Sequence, residues 1–334
     1  MDDTRILLAH GNGGRLMREL VAGIFARHLA NPVLDTDADA VVLPPLDGEL
    51  MVTTDGFTVQ PLEFPGGNLG SLAVHGVVND LAVAGADPRF LTLSALIEEG
   101  LETAVLERLV ASFAEAARES GVAVVAGDTK VVRRGEGGGL YLAVAGIGVR
   151  RAAAPLAIES IAPGDAVLVS GPVGDHGIAV MLAREQFGLS GELRSDSASV
   201  LPLARAVRDL PGLRFMRDPT RGGLATVAHE LARASGHSVV LEQQAVPLRP
   251  EVVAVCDMLG YDPYFLACEG RIVAVSDPAT AEEILERWQT LPEGAEARLI
   301  GRIESGGARV ILETGIGGRR ILDELEDDPL PRIC

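Results

Sequence analysis

Valine-rich runs and alanine-rich segments alternate along this chain, and their apolar residues follow two different periods. The runs typical of strands are closed by Gly or Asp and span residues 49–57, 121–132, 140–150 and 165–174. The segments whose apolar residues recur at helical spacing predict helices at 69–84, 101–120 and 177–186. This alternation predicts an α/β (α+β) fold.

A proline-containing segment near the middle of the chain predicts a domain boundary. Residues 150–165 follow a predicted strand, carry two prolines and end in a Pro-Gly-Asp turn. A chain of 334 residues is also long for one domain. We therefore predict two domains, 1–152 and 153–322. Residues 323–334 are acidic, interrupted by proline and poor in core residues, which predicts a mobile tail.

Composition and charge narrow the classes of partner. Hydrophobic residues make up 47% of the chain but aromatics only 4%, so the core must consist of Val, Leu, Ile and Ala. A net charge of −18 argues against nucleic acid or anionic membranes as partners. No apolar run is long enough to span a bilayer, and the N-terminus lacks the basic residues of a secretory signal. The three cysteines form no disulfide pattern, which predicts a cytoplasmic protein.

The familiar nucleotide and metal motifs give little support by themselves. The chain has no P-loop sequence, and the stretch HELAR at 229–233 lacks the second histidine of a zinc protease helix. The stretch GPVGDHG at 171–177 follows a strand and opens a helix. It is compatible with an anion site or with a tight turn between the two elements.

Several aspartates lie at the predicted ends of strands or helices, beside small residues. Each one alone is equally well explained as a cap or turn residue. Asn79 and Asp80 differ, because they interrupt an apolar helical pattern, and a buried carboxylate needs a cation or a partner. Several carboxylates without a P-loop suit Mg²⁺ bridging to phosphates. The set predicted as metal ligands is Asp39, Asp55, Asp80 and Asp218.

A glycine-rich stretch near the N-terminus and a cysteine at the C-terminus complete the pattern. The backbone amides of Gly11, Gly13 and Gly14 in HGNGG are suited to contact phosphates. Cys334 is the last residue, and an exposed thiol at a chain end is open to oxidation and exchange. Such a thiol indicates either an accident of sequence or a sulfur that has to move between sites.

The order of these motifs resembles the HypE family of hydrogenase maturation factors. That family belongs to the ATP-binding superfamily of aminoimidazole ribonucleotide synthetase and selenophosphate synthetase. The resemblance covers nearly the whole chain, and the terminal PRIC separates HypE from other members of the superfamily. It rests on the stretches HGNGG, TTDGF, PLEFPGGNLGSLAVHGVVNDLAVAGADP, AGDTKVV, MRDPTRGGLA and PRIC.

The resemblance implies a two-domain PurM-like fold and a homodimer in which the N-terminal domains pair their sheets, with ATP near their interface. It also implies a reaction at the tail. A carbamoyltransferase, HypF, places a carbamoyl group on the sulfur of Cys334, and ATP then drives its dehydration to a thiocyanate. The cyano group passes to an iron held by the HypC–HypD scaffold, on its way to nickel–iron hydrogenase.

The resemblance also assigns roles to individual residues. In GDTK and ACEGR it implies that Glu269 accepts a proton while Lys130 orients it, although a structural salt bridge would use the same pair. Cys268 stands where the family has Asn and is expected to pack, as are Cys256 in the core and His75 on a helix face. The expected ATP-binding set is Gly11, Gly13, Gly14, Asp55, Asn79, Asp80, Asp128, Thr220 and Arg221.

Two other functions stay open at this stage. Another enzyme of the superfamily, such as a kinase or a phosphate-transferring synthetase, would turn over a small substrate without Cys334. A scaffold that docks a partner through its tail would need neither ATP nor the aspartates, so Asp80→Asn would leave it unaffected.

Overall fold

A computed structural model describes residues 4–151, 156–184 and 191–325 of the chain. The predicted tail from residue 326 onward, with Cys334, lies outside the described residues, as do the last two residues of the helix predicted at 177–186. Among the helices that the structure describes, none combines the length and the apolarity that a bilayer crossing requires.

The first domain is built on a four-stranded sheet in the order β1-β6-β4-β5. Strands β4 and β5 are parallel, and the other neighbours are antiparallel. A two-stranded ribbon, β2 with β3, precedes the main helix. The strands are β1 (Glu49–Phe57), β2 (Glu63–Phe64), β3 (Gly67–Asn68), β4 (Asp87–Glu98), β5 (Ala123–Val132) and β6 (Leu140–Arg150).

Helices cover only one face of this sheet. An N-terminal helical segment consists of α1 (Arg15–Leu20), a π-helical stretch (Val21–Ala26) and α2 (Arg27–Leu29). Helix α3 (Leu69–Val83) packs against β1, β4 and β6, and α4 (Thr103–Glu119) packs on α3. The Asn68 side chain caps α3 by accepting from the N–H groups of Gly70 and Ser71.

The opposite face of the sheet is open in a single chain and carries large apolar side chains. Leu50 is 62% exposed, Val52 70%, Leu96 38% and Tyr141 37%. We call these four residues the open sheet face. Exposed apolar area of this kind on a sheet marks an interaction surface more often than a solvated one.

The second domain is a seven-stranded sheet in the order β13-β12-β9-β11-β7-β10-β8, with its helices packed around it. Its largest fully buried side chain is Trp288, which donates from Nε1 to the carbonyl of Leu203. The strands are β7 (Ala166–Val169), β8 (Leu213–Arg217), β9 (Ser238–Glu242), β10 (Val273–Ser276), β11 (Arg298–Glu304), β12 (Val310–Glu313) and β13 (Arg319–Ile321). The helices are α5 (Asp175–Ala183), α6 (Leu201–Val207), α7 (Gly223–Ser235), α8 (Pro250–Leu259) and α9 (Pro278–Gln289).

The two-domain α/β prediction is confirmed, and the predicted strands 49–57 and 140–150 have the bounds of β1 and β6. The strand predicted at 165–174 is too long: β7 ends at Val169, because the chain turns through Gly174, at φ +86°, into α5. Strand β4 was not predicted, although it lies inside the first sheet. Its sequence DPRFLTLSALIE has a proline as its second residue and is richer in leucine than in β-branched residues.

Candidate active site

Three of the predicted aspartates come together where the two domains meet. Asp55 lies on β1, Asp80 on α3, and Asp218 directly after β8. Oδ2 of Asp80 accepts a hydrogen bond from Oγ1 of Thr53 at 2.8 Å. Thr53 and Asp55 point to the same side of β1, because side chains two residues apart share a face of a strand. We call Asp55, Asp80 and Asp218 the acidic cluster.

Burial and mutual repulsion make the acidic cluster costly to ionise. Burial, assisted by the charge of Asp80, raises the pKa of Asp218 to about 7. Burial also raises the pKa of Asp80, and the charge of Asp55 adds to the effect. A cation would relieve this repulsion, and the oxygen donors fit Mg²⁺.

The acidic cluster is not a complete metal cage. Within residues 4–151, 156–184 and 191–325, no group of three His, Cys, Asp or Glu side chains converges on a point that could hold a metal ion. Mg²⁺ is commonly held by one or two carboxylates together with substrate phosphates. The cluster therefore fits a cation that arrives with a nucleotide rather than a permanently resident one.

The turn that leads into α7 places Thr220 and Arg221 beside the acidic cluster. The N–H of Thr220 donates to the carbonyl of Asp218 at 3.0 Å, and its own carbonyl accepts from the N–H of Gly223 at 3.0 Å. Nη2 of Arg221 donates to Oδ1 of Asp55 at 3.0 Å. A guanidinium on an exposed turn is suited to pair with a phosphate instead when one is present.

Glu269 lies in a buried loop on the same side of the molecule and is only 4% exposed. Its N–H donates to Oδ1 of Asp196 at 3.2 Å, and the N–H of Gly270 donates to Oδ2 at 3.3 Å. Burial, followed by the charges of Asp196, Asp218 and Asp55, raises the pKa of Glu269 well above its usual range. A carboxylate with a raised pKa is a stronger proton acceptor than an ordinary one.

Asn79, expected to bind ATP, instead forms hydrogen bonds from its side chain to backbone groups of the second domain. Its Nδ2 donates to the carbonyls of Ala198 at 3.0 Å and Glu269 at 3.3 Å, and its Oδ1 accepts from the N–H of Val200 at 2.8 Å. The residue is 1% exposed, so its amide is fully used and out of reach of a nucleotide. The expectation for Asn79 is therefore corrected: it fixes the loop that carries Glu269.

The glycine-rich stretch lies against β5, at the edge of the sheet opposite β1. A Cβ on Gly11 would lie 2.9 Å from the Cβ of Val131, so this glycine allows close packing on β5. Gly13 has φ +73°, and Gly14 is the N-cap residue of α1. The stretch is thus shaped by its packing, with Gly13 and Gly14 facing open space.

The same edge of the sheet also carries Asp39, Asp128 and Lys130. Asp39 and Asp128 line a cavity of about 400 Å³ between the N-terminal helical segment and β5. Lys130 is exposed, and its cross-strand neighbour Leu96, which pairs in turn with Tyr141 on β6, belongs to the open sheet face. We call Gly11, Gly13, Gly14, Asp39, Asp128 and Lys130 the β5 half-site.

The strand order separates these two groups within one chain. Strands β1 and β5 are opposite edges of the sheet, three strand spacings apart, which is about 14 Å at 4.8 Å per spacing. Asp55 faces α3, whereas Lys130 lies on the open sheet face. The Lys130–Glu269 pair expected from the sequence is therefore not formed inside one chain, nor does Asp39 join the acidic cluster.

Comparison with known proteins fits this architecture. The families described as AIR synthase related protein, N-terminal and C-terminal domain, match residues 36–150 and 162–313. Carbamoyl dehydratase HypE of Rhizobium leguminosarum bv. viciae is 44% identical over 333 residues, which cover 99% of this chain and 95% of that protein. The chain belongs to the HypE family of carbamoyl dehydratases.

Solved structures of HypE proteins have the same fold. A HypE in complex with ATP superposes with a TM-score of 0.93 at 41% identity, covering 98% of this chain and 99% of that one. The HypE of a HypE–HypF complex superposes with a TM-score of 0.80 at 40% identity, covering 93% and 100%.

Cys268, the residue before Glu269, has a structural role. Sγ of Cys268 accepts a hydrogen bond from the N–H of Gly174 at 3.2 Å and is fully buried. Burial raises its pKa well above the ordinary value, so the thiol is unreactive. Cys256 is also buried, and burial raises its pKa to about 11. The predictions that both cysteines pack are confirmed.

The GPVGDHG stretch is a tight turn, and the N-terminus of helix α5, which it opens, already carries an acidic side chain. Oδ2 of Asp175, the first residue of α5, accepts from Nε of Arg249 at 2.8 Å. An acidic side chain at this position repels an incoming anion.

His75 lies on a face of helix α3, as expected, and this face packs against the second domain. Its Nδ1 lies 3.3 Å from Oγ of Ser197, and burial lowers its pKa to about 4.

Sequence patterns alone did not point to two further features of the chain. Lys130 is the single lysine among the 29 basic Lys and Arg residues of the chain. A chain that uses arginine everywhere else keeps an amine only here, and an amine, unlike a guanidinium, can exchange protons. Asp196 was missed because no motif or strand end marks it; only the fold brings it to Glu269.

Proposed function

We propose that this protein uses ATP to dehydrate a carbamoyl group on its own Cys334, giving a thiocyanate whose cyano group supplies the iron of nickel–iron hydrogenase. One observation supports this most strongly: the place where the described part of the tail ends. Cδ1 of Leu325 lies 3.7 Å from where a Cβ on Gly222 would be, and Gly222 follows Arg221. Glu324 is tied to Arg233 by an ion pair of 2.7 Å.

The reach of the tail from this point is sufficient. Nine residue steps lead from Leu325 to Cys334, and a fully extended chain of that length spans at most about 30 Å. Arg221, next to this starting point, is paired with Asp55 of the acidic cluster. A chain of this length is therefore long enough for the thiol to reach the acidic cluster.

A second copy of the chain is required to complete the site. The open sheet face leaves Val52 70% and Leu50 62% exposed, and burying such area against another copy is favourable by about 25 cal/mol per Å². Pairing two such faces brings the β5 half-site of one copy toward the β1 edge of the other. We infer a homodimer with ATP held between the acidic cluster of one copy and the β5 half-site of the other.

In this arrangement ATP replaces a poor leaving group by a good one. The carbamoyl oxygen on Cys334 attacks the γ-phosphate, which releases ADP; the carbon–oxygen bond then breaks as phosphate leaves and the nitrogen loses its protons. The sum is thiocarbamate and ATP giving thiocyanate, ADP, phosphate and a proton. Mg²⁺ that arrives with ATP and is held by carboxylates of the acidic cluster would neutralise the phosphate charge.

The residues of the chain supply positioning and proton transfer. Arg221 exchanges Asp55 for a phosphate oxygen, and Glu269 removes a proton from the nitrogen in a pocket that excludes water. Lys130 of the second copy faces Glu269 and stabilises its ionised form as the proton is transferred. Asp128 and the amides of Gly13 and Gly14 contact the nucleotide from the same side as Lys130.

The partners and location follow from the family. HypF would deliver the carbamoyl group, in keeping with the solved HypE–HypF complex, and the HypC–HypD scaffold would accept the cyano group on its iron. These steps belong to the cytoplasm. The net charge of −18 gives no basis for a nucleic acid or membrane partner.

Intact mass spectrometry of the tail peptide tests this function. The protein is incubated with HypF, carbamoyl phosphate and ATP, and we expect an adduct on Cys334 that loses one water only when MgATP is present. Cys334→Ser is the matched control and should show neither mass change. An adduct on Cys256 or Cys268 would contradict the proposal, and undiminished ATP turnover in Cys334→Ser would favour a kinase-like enzyme instead.

A further inference from the structure

The short segment 195–200 lies between the two domains and contacts both of them. The N–H of Ser195 donates to the carbonyl of Pro65 at 2.8 Å, in the first domain. A Cβ on Gly66 would lie 2.6 Å from the carbonyl oxygen of Ser195, so the two backbones touch. At its other end the N–H of Val200 donates to Asn79 at 2.8 Å. The segment is therefore fixed to the first domain at both ends.

The same segment forms hydrogen bonds with the loop that carries Glu269. The two oxygens of Asp196 accept from the N–H groups of Glu269 and Gly270, at 3.2 and 3.3 Å. A Cβ on Gly270 would lie 1.9 Å from the carbonyl oxygen of Asp196, which leaves no room for any other residue. Nε of Arg271 lies 3.4 Å from the Asp196 carboxylate, whose side chain is fully buried.

Asn79 holds this loop from the first domain. Its Nδ2 is shared between the carbonyls of Glu269 and Ala198, and it adjoins Asp80 in the chain. Helix α3 thus presents one residue to the acidic cluster and the preceding one to the Glu269 loop. Two buried polar side chains, one from each domain, fix the backbone of Glu269 at its N–H and its carbonyl.

We propose that Asp196 and Asn79 are positioning residues that hold Glu269 at the distance from the acidic cluster at which it can remove the proton from the carboxamide. Neither residue touches substrate, and the inference rests on the proposed function. Displacement of a proton acceptor by about 1 Å is enough to slow a reaction by about 100-fold. Phosphoryl transfer to the carbamoyl oxygen uses the acidic cluster, Arg221 and the β5 half-site but not Glu269, so it survives when Glu269 is displaced.

This separation of the two steps predicts uncoupling rather than simple loss. In Asp196→Asn one oxygen still accepts, but the new NH₂ group faces an N–H donor, so one hydrogen bond is lost and the loop shifts. Arg271 stays paired, because it also donates to the carbonyls of Pro172 at 3.0 Å and Glu293 at 3.1 Å. ADP should form without thiocyanate, and the thiocyanate-to-ADP ratio should fall about 10-fold or more.

The experiment measures that ratio in the full-length protein with HypF, carbamoyl phosphate and MgATP. Asp165→Asn is the matched control, because Asp165 is likewise buried and accepts from a backbone N–H, that of Ala162 at 2.8 Å, and from Nε of Arg214 at 2.9 Å. We expect Asp196→Asn and Asn79→Ala to lower the ratio with KM for ATP unchanged, and Asp165→Asn to leave the ratio at the wild-type value.

Equal ratios in Asp196→Asn and Asp165→Asn would overturn the inference, since a structural role reduces both products together. If Asp196→Asn fails to fold, Asn79→Ala decides by the same ratio. Amide hydrogen exchange gives a readout without turnover: the N–H groups of Glu269 and Gly270 should exchange faster in Asp196→Asn. Unchanged exchange would contradict the claim that Asp196 holds the Glu269 loop. If the wild-type protein forms no thiocyanate on Cys334, the proposed function fails, and the exchange rates alone then test whether Asp196 holds this loop.

Discussion

Lys130 is the residue at which the chemistry depends most on one side-chain type, because the chain uses arginine at every other basic position. Lys130→Arg keeps the positive charge but replaces a compact ammonium by a planar guanidinium, which cannot pair with Glu269 in the same geometry. We expect ATP binding to be retained and thiocyanate formation to fall by about 10²-fold, the cost of a misplacement of about 1 Å. Arg133→Lys, at an exposed position three residues further along the chain, is the control and should change neither; equal activity of Lys130→Arg would show that charge alone suffices.

Asp218 gives a pH dependence with a definite sign. Its pKa is raised from 3.8 to about 7, so the folded protein holds a proton there that the unfolded chain releases, and stability falls as pH rises between these values. Asp218→Asn removes this loss, which amounts to about 1.4 kcal/mol per pH unit. Chemical denaturation in a chelator at pH 5 and pH 8 should show the variant gaining on the wild type at the higher pH.

The comparison with the wild type isolates Asp218 from opposing groups. Burial lowers the pKa values of His75 and His176 to about 4, so these residues destabilise the fold as pH falls, in both proteins alike. Asp209→Asn, at a largely exposed site, should show no such trend. A difference between variant and wild type that does not grow with pH would mean that Asp218 is ionised throughout.

At the scale of elements, the contact between α3 and α4 depends on a glycine. A Cβ on Gly70 would lie 2.0 Å from the carbonyl oxygen of Leu109 in α4. Gly70→Ala should therefore destabilise the protein by about 1–3 kcal/mol, although alanine is the better helix former. Gly23→Ala in the N-terminal helical segment meets nothing within 4 Å and should stabilise by about 0.5–1 kcal/mol. Urea denaturation of both variants checks the pair, and equal stabilities would refute close packing at Gly70.

Local pattern predicted elements well where one period dominated, as in β1, β6, α3 and α4. It failed for β4, because the leucine-rich sequence of this strand is not typical of a strand. The strand is stabilised by its neighbours β6 and β5, which pair with it on both sides. It also gave no hint of segment 195–200, which has no regular secondary structure and is defined only by contacts with residues distant in sequence. Long-range contacts of this kind cannot be read from local periodicity.

At the scale of the whole molecule, the sequence identified the chemistry but not its distribution in space. The motifs named Asp55, Asp80 and Asp218 together with Lys130 and Asp128. The fold gathers the three aspartates near β1, one edge of the first sheet, and places Lys130 and Asp128 on β5, the opposite edge. The order of strands in a sheet is not the order of strands in the chain, so motif spacing could not show this division. The division is also what makes the open sheet face informative, since a second copy placed there would rejoin the halves.

Mixed dimers test this central claim most directly. In a dimer of Lys130→Ala with Glu269→Gln, one site carries both substitutions and the other carries neither, provided that Lys130 and Glu269 act across the interface. The account predicts no thiocyanate on Cys334 in either variant alone, and its return, with one intact site per mixed dimer, once subunits are exchanged and mixed dimers are isolated. If mixed dimers stay as inactive as the parents, the pair does not act between copies, and the composite site is wrong.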